Sequence, residues 1–302
     1  MKPTAVAESA AAARPIAYSR VGDLVVLTKA RLNALVVATT AGGYFMAAPD
    51  RLNLVTMAIT CAGTALVASG AAALNQVDER GTDRLMDRTR WRPVAEGRMS
   101  IGEGRAIGAV LAVAGLLMLW IGATAAAAIV ALVTLITYVA VYTPLKRVTS
   151  FATVVGAVPG ALPPLIGWAA AGGSLGDPAA WTLFFVMFLW QLPHFLAIAW
   201  ICRLDYARAG LPMLPVIDPH GTMTGRQAAV WATTLIPASL LPFLLGLTAQ
   251  TYAIGAVVLG VLQLALALRF AAHRTDANAR ALFFGSITYL PLLWLLMALS
   301  KA

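Results

Sequence analysis

The sequence predicts an all-α membrane protein whose helices cross the bilayer many times. Hydrophobic residues fill 60% of the 302 positions and charged residues only 12%, whereas a soluble domain carries about 25% charged residues. The apolar residues form runs of about 20, which is the length of α-helix that crosses a bilayer. Basic residues are concentrated in alternate connections between these runs. Together these observations exclude a soluble globular domain.

Nine membrane-spanning helices are expected. Their predicted bounds are 25–47, 53–73, 102–123, 125–142, 152–171, 180–201, 228–247, 250–270 and 281–299. Three prolines and several glycines in the fifth span predict a kinked or closely packed helix that lines a cavity. A membrane domain at 21–302 would hold all nine spans, after an Ala-rich tail at 1–20 that we expect to be disordered.

The placement of charge tests this count. Twenty of the 22 basic residues lie in the N-terminal segment and in alternate connections, and the other two are Arg51 and Lys301. Because Lys and Arg concentrate on the cytoplasmic side, the N-terminus is predicted to be cytoplasmic and the C-terminus outside. The same bias accounts for the net charge of +9 without a nucleic-acid partner. The two longest connections, 74–101 and 202–227, are both cytoplasmic and are predicted to form the mouth of the functional site.

Cysteine usage and the N-terminal segment exclude two further classes. Cys61 lies in an apolar run and Cys202 near a basic connection, so we expect free thiols rather than a disulfide framework. No apolar stretch precedes a cleavage site, so a secretory signal is not expected. A short organellar transit segment stays open, since the segment is Ala-rich and contains Arg14 and Arg20.

A segment from Leu74 to Met99 concentrates acidic residues between the second and third spans. Its side chains Asn75, Glu79, Asp83 and Asp87 recur every four residues, so a helix would present them on one face. Clustered carboxylates repel one another unless a cation neutralises them, and hard oxygen ligands suit Mg²⁺. We therefore predict a metal site on this face. The competing interpretation is a solvated loop with ion pairs.

Basic residues accompany the acids in two places. Arg84, Arg88 and Arg92 share a second four-residue step on another predicted face, and Lys146 and Arg147 end the fourth span. Cations near an acidic cluster suit a phosphate group. Lys146 and Arg147 are equally expected as simple topology determinants.

The connection after the sixth span repeats the position of the first acidic segment. Asp205 comes just after the sixth span, in the same way that the first acidic segment comes just after the second span. If the two halves are related, Asp205 faces the first acids across a shared cavity; otherwise it is an interfacial carboxylate paired with Arg203 or Arg208. His194 lies within the sixth span beside Pro193, either as a packing residue or as a ligand for a metal-bearing substrate.

These motifs together resemble the UbiA superfamily of intramembrane prenyltransferases, and within it the haem O synthase subfamily. The superfamily's first motif, Asn-x₃-Asp-x₃-Asp, is present as Asn75-x₃-Glu79-x₃-Asp83, with Glu in the second place. The second motif of the superfamily usually has another acid four residues after the first. Here Ala209 stands four residues after Asp205, and the haem O synthase subfamily also lacks an acid at this position. The further similar stretches are Met86 to Pro93 (M-x-R-T-x-x-R-P), YTPLKR at 142–147, PPLIGW at 163–168, WQLPHF at 190–195 and DYARAGLPMLPV at 205–216.

The resemblance implies transfer of a farnesyl group from farnesyl diphosphate to the 2-vinyl group of haem b, with addition of water, to give haem O and diphosphate. It implies Mg²⁺ as the cofactor. The expected metal ligands are Asn75, Glu79, Asp83 and Asp205, and the expected catalytic residues are Asp83, Asp205 and Lys146. The residues expected to bind substrate are His194, Arg84, Arg88, Arg92 and Arg147, with His194 assigned to the haem iron or a propionate.

Two alternatives and a location complete these expectations. One alternative is a related prenyltransferase for an aromatic acid or quinone precursor, and the other is a haem transport or assembly protein without catalysis. The expected partners are haem b, farnesyl diphosphate and membrane lipid, with haem A synthase or terminal oxidase assembly proteins as candidate recipients of the product. The expected location is the bacterial inner membrane, with the active site facing the cytoplasm, in preference to the mitochondrial inner membrane.

Overall fold

The computed structural model describes residues 19–48 and 52–302. Most of the predicted disordered tail, through residue 18, therefore lies outside the described residues. The described chain forms the helices α1 Arg20–Leu27, α2 Ala30–Ala47, α3 Leu54–Asp83, α4 Pro93–Glu96, α5 Ile101–Gly122, α6 Ala125–Ile136, α7 Thr143–Leu145, α8 Ala152–Ala161, α9 Pro163–Ala170, α10 Pro178–Ile201, α11 Arg203–Arg208, α12 Leu214–Ile217, α13 Thr222–Leu244, α14 Gln250–Ala272 and α15 Asp276–Leu299. A π-helix, Thr137–Tyr142, joins α6 to α7.

The described part of the chain contains the nine predicted spans. Eight segments are long and apolar enough to cross a bilayer, and α1 with α2 forms a ninth that is bent by 46°. The first span is therefore broken at residues 28 and 29. Both cysteines are free, as predicted.

The second span is longer than its apolar run predicts. The helix α3 continues unbroken to Asp83, ten residues beyond the predicted end at 73. No proline interrupts α3, and Gln76, Glu79 and Arg80 are good helix formers, so the helix does not end where the hydrophobic residues end. The first ten residues of the connection expected at 74–101 are therefore helical and belong to α3. The last residues of the connection expected at 202–227, from Thr222 onward, belong to α13.

The fifth span is broken and closely packed, as its prolines and glycines predict. It divides into α8 and α9 immediately before Pro163. The helices α2 and α9 pack backbone to backbone, since a Cβ atom at Gly43 would overlap the carbonyl of Pro164 and one at Gly167 would overlap that of Thr40. Close approach through glycine is typical of membrane helix pairs.

Contacts at the C-terminus identify the two ends of the bundle. Lys301 Nζ donates hydrogen bonds of 2.7 and 2.6 Å to the carbonyls of Phe45 and Ala48 at the end of the first span. Lys301 also pairs with Thr248, between the seventh and eighth spans. The C-terminus therefore lies at the end of the bundle opposite the acidic segment, as an odd number of spans requires.

Candidate functional site

The acidic end of α3 forms the centre of the candidate site. Asn75, Glu79 and Asp83 share one helix face, as predicted, and all three are buried, with at most 5% of their surface exposed. Asp87 does not share this face, because α3 ends at Asp83. Asp87 is exposed and pairs with Arg208. The prediction that four residues share one helix face is therefore wrong for Asp87.

Each member of this face has a basic partner from another segment. Arg92 donates to both carboxylate oxygens of Asp83, at 2.9 and 2.7 Å. Lys146 donates to Glu79 at 2.8 Å, and Lys29 donates to Asn75 Oδ1 at 3.0 Å. We call these six side chains the acid–base cluster.

The π-helix and the short α7 bring the fourth span to the acid–base cluster. Thr143 accepts a 3.1 Å hydrogen bond from Asn75 Nδ2, and Lys146 follows α7 directly. Burial opposes the charged form of Lys146, but neighbouring negative charge and the bond to Glu79 hold the pKa of Lys146 above its ordinary value. Arg147 is exposed and donates to the backbone carbonyl of Asp78, outside the cluster.

The three arginines predicted on a common helix face point in three directions, because the helix ends before them. Arg92 alone of the three pairs within the cluster. Arg84 donates to the carbonyl of Ala95. Arg88 donates to the Tyr206 hydroxyl at 2.9 Å and lies over the Tyr206 ring. The shared-face prediction is therefore wrong for Arg84 and Arg88.

The helix α11 brings Asp205 against the segment that follows α3. Asp205 accepts a 3.3 Å hydrogen bond from the backbone N–H of Asp87 and lies 3.6 Å from Arg208. Asp205 therefore meets the first acidic segment at Asp87, outside the face shared by Asn75, Glu79 and Asp83, and its role as a metal ligand stays a prediction. Over residues 19–48 and 52–302, however, no three acidic, histidine or cysteine side chains are close enough to hold one metal ion.

The carboxylates that fit a shared cation are Glu79 and Asp83. Arg92 Nη1 lies 2.7 Å from Asp83 Oδ2 and 3.8 Å from Glu79 Oε2, so both carboxylates reach one positive centre. Mg²⁺ in enzymes usually takes one or two carboxylates and completes its shell with water and substrate phosphates. The donor set on α3 fits that pattern.

His194 lies apart from the acid–base cluster. Its Nδ1 is 2.7 Å from Ser286 Oγ on α15, and its ring stacks between those of Trp190 and Phe283. Because the Ser286 hydroxyl donates to the carbonyl of Phe283, it accepts from His194. This arrangement favours the tautomer with the proton on Nδ1, which leaves the lone pair on Nε2. The assignment of His194 to haem stays a prediction.

A cavity of about 380 Å³ lies within the bundle and reaches the acid–base cluster at Lys29. Lys29, Asn33 and Tyr206 line its polar part, and Val67 and Ile166 belong to its apolar part. The lining comes from α2, α3, the π-helix and the helices of the fifth and sixth spans. The cavity therefore suits a molecule with a charged head and an apolar tail.

Sequence reasoning missed Lys29, Thr143 and Tyr206. The charge bias places Lys29 only among the basic residues of the cytoplasmic side, although Lys29 lies inside the predicted span 25–47. A basic residue inside an apolar span is costly and is usually functional, so that position was a usable signal. Thr143 and Tyr206 had no comparable signal, because their roles depend on which helices meet.

Comparison with known proteins now identifies the family. Residues 35–294 match the UbiA prenyltransferase family. This chain belongs to the UbiA prenyltransferase family. Within the family it is 44% identical to the protohaem IX farnesyltransferase of Solibacter usitatus, over 92% of this chain and 98% of that one. It is 40% identical to the protohaem IX farnesyltransferase of Koribacter versatilis, over 99% of each chain.

Solved structures of other proteins share the fold. A structure of digeranylgeranylglyceryl phosphate synthase matches with a TM-score of 0.77 at 14% identity, over 93% of this chain and 98% of that one. A UbiA homologue from Archaeoglobus fulgidus, bound to GPP and Mg²⁺, matches with a TM-score of 0.62 at 16% identity, over 91% and 99%. At these identities the likeness establishes the all-α membrane architecture.

Proposed function

We propose that this UbiA-family chain transfers the farnesyl group of farnesyl diphosphate to the 2-vinyl group of haem b, with addition of water, to give haem O and diphosphate. The observation that carries the proposal is the acid–base cluster next to a largely apolar cavity, with Lys29 belonging to both. The substrate identities come from relatives that are 40–44% identical over at least 92% of this chain and are named protohaem IX farnesyltransferases.

The first bond to break is the allylic C–O bond of farnesyl diphosphate, and its electron pair leaves with the diphosphate. Negative charge then grows on the leaving group, so preorganised cations accelerate this step. Lys146 and Arg92 are buried or partly buried at the cluster, where charge-assisted hydrogen bonds are strong. We assign them to the diphosphate oxygens.

The vinyl group of haem then supplies the electron pair that forms the new C–C bond to farnesyl. The resulting cation on the porphyrin side takes up one water molecule and releases one proton, which leaves a hydroxyl group. Water must not reach the farnesyl cation first. The apolar part of the cavity, which includes Val67 and Ile166, would shield it.

We propose Mg²⁺ as the cofactor, since Glu79 and Asp83 fit a shared divalent cation and Asn75 adds a neutral oxygen. When bound, Mg²⁺ would neutralise charge on the leaving diphosphate. We keep Asp205 in the proposed ligand set because α11 places it against the segment that follows α3. The structure of the UbiA homologue bound to GPP and Mg²⁺ supports a metal in this fold.

We further propose that the site faces the cytoplasm of a bacterium, in its inner membrane. The strong bias of basic residues to one side supports this orientation. Haem A synthase or terminal oxidase assembly proteins are the proposed recipients of the product.

The deciding experiment supplies haem b and farnesyl diphosphate to membranes that contain the chain, with and without EDTA. We expect a haem that is heavier by one farnesyl group and one hydroxyl group, formed only when Mg²⁺ is present. Membranes without the chain are the control. Unmodified haem alongside a prenylated aromatic acid would select the alternative prenyltransferase, and unmodified haem alone would favour a transport or assembly role.

A further inference from the structure

Lys29 has an unusual backbone at the break in the first span. Its φ of 49° lies in the left-handed region, and among the described residues other than glycine it alone has a positive φ. Such a backbone is strained and persists where surrounding contacts impose it. Here Gln76 donates to the carbonyls of Val26 and Leu27 at 2.7 and 2.9 Å, and Asn33 donates to that of Thr28 at 2.7 Å.

This conformation directs the ammonium of Lys29 into the cavity. Lys29 lines the cavity and donates to Asn75 Oδ1 at 3.0 Å. In the described part of the chain, no carboxylate lies within 4.0 Å of Lys29 Nζ, whereas Lys146 has one within that distance and Arg92 has two. A partly buried charge with only a neutral partner is costly, so this position favours an anion.

The charge of the acid–base cluster also favours an anion next to Lys29. Within the six described side chains of the acid–base cluster, three basic groups accompany two carboxylates, those of Glu79 and Asp83, so the cluster has a formal charge of +1 with Lys29 protonated. The unmatched cation is Lys29. An anionic head group at the end of the cavity would balance it.

We propose that Lys29 binds the diphosphate and gives up Asn75 Oδ1 to the metal ion when substrate enters. This inference rests on the proposed function. The two cations compete for one amide oxygen, because an ammonium and Mg²⁺ on the same atom repel each other strongly in a site of low dielectric. Lys29 therefore weakens metal binding in the empty site and strengthens binding of the diphosphate.

The proposal requires that loss of the ammonium changes the two affinities in opposite directions. The test measures Mn²⁺ binding alone by electron paramagnetic resonance, and binding of farnesyl thiodiphosphate in the presence of Mn²⁺, for Lys29→Met. We expect Mn²⁺ alone to bind severalfold more tightly. We expect the thiodiphosphate to bind about tenfold more weakly, as loss of one charged hydrogen bond predicts.

Three further variants separate charge from backbone. Lys29→Gly accepts the left-handed conformation without strain and should behave like Lys29→Met, whereas Lys29→Arg should keep tight binding of the thiodiphosphate. Arg31→Met, which removes an exposed basic residue two positions later, should change neither affinity. Weaker binding of both probes in Lys29→Gly, or no change in either, would overturn the proposal.

These binding measurements also distinguish this inference from the proposed function. Neither probe requires haem, so opposite shifts together with no farnesylated haem would leave the role of Lys29 standing and reject haem as the acceptor. Product formation with unchanged affinities in Lys29→Gly would reject only the role of Lys29.

Discussion

Lys146 donates a 2.8 Å hydrogen bond to Glu79, which lies 67 positions earlier in the chain. Both side chains are buried, and the pair joins the ends of the second and fourth spans. A buried ion pair is held by its own attraction, and removal of one partner leaves a charge without compensation. This pair therefore contributes both to the fold and to the charge of the site.

Loss of the Lys146 charge should affect stability and activity separately. For Lys146→Met we expect a loss of about 3 kcal/mol in the free energy of unfolding, because Glu79 stays buried and keeps only the more distant Arg92, 3.8 Å away, as a counter-charge. Thermal unfolding in detergent measures it. Adding Glu79→Gln should restore most of the stability but no turnover. A double variant that is as unstable as Lys146→Met would contradict this account of the pair.

The carboxylate of Asp83 should be essential for turnover. We expect Asp83→Asn to lower formation of farnesylated haem by roughly a hundredfold or more, since it removes a proposed metal ligand and the partner of Arg92. Mass spectrometry of extracted haem measures the product. Asp78→Asn, on the same helix outside the cluster, is the matched control and should keep near-normal activity. Turnover by Asp83→Asn at the level of this control would reject the metal assignment.

The arginines should differ according to their contacts. Arg92→Met leaves Asp83 without its partner, so we expect loss of turnover and weaker binding of farnesyl thiodiphosphate. Arg84→Met removes only a bond to the Ala95 carbonyl and should reduce turnover less than threefold, on the order expected for a surface side chain. Equal losses in the two variants would show that the cluster does not bind the diphosphate.

Glycine at the crossing of α2 and α9 should be required for folding. Gly167→Ala places a methyl group against the carbonyl of Thr40, so we expect a loss of about 2 kcal/mol or more of stability and little folded protein. Yield and thermal unfolding measure this effect. At Gly102 a Cβ would have no neighbour within 4 Å, so Gly102→Ala should be tolerated and provides the control.

His194 is expected to retain haem through Nε2. His194→Ala should lose haem during purification, and Ser286→Ala should weaken retention by about tenfold because the ring is no longer fixed by its partner. The haem absorbance per protein measures retention. His220→Ala, a histidine outside the membrane helices, is the control. If His194→Ala retains as much haem as this control, the His194 side chain does not contact haem.

The span count and the acidic face could be predicted because both depend on local sequence. Apolar runs and the bias of basic residues are enough to locate nine spans, and the four-residue spacing correctly placed Asn75, Glu79 and Asp83 together. The end of α3 could not be placed. Hydrophobicity marks where a span leaves the membrane, whereas the helix continues as long as its residues favour it.

The partners of the acids depended on tertiary contacts. Arg84, Arg88 and Arg92 looked equivalent in the sequence, but the turns after Asp83 send each arginine to a different partner. Lys29 joins the cluster only because the first span breaks before it. The sequence gives no breaker at that point, since neither glycine nor proline occurs between Asp23 and Gly42.

The 30 residues of α3 have a consequence for how the enzyme meets its substrate. At 1.5 Å per residue the helix is about 45 Å long, whereas the hydrocarbon layer is about 30 Å thick. With the apolar start of the helix at one face of this layer, we expect its acidic end at the level of the lipid phosphates on the other side. A prenyl diphosphate already lies in the bilayer with its phosphates at that depth and its tail below. The substrate can therefore enter sideways without being lifted into water, and its density in the plane of the membrane, rather than its bulk concentration, sets how often the site is filled.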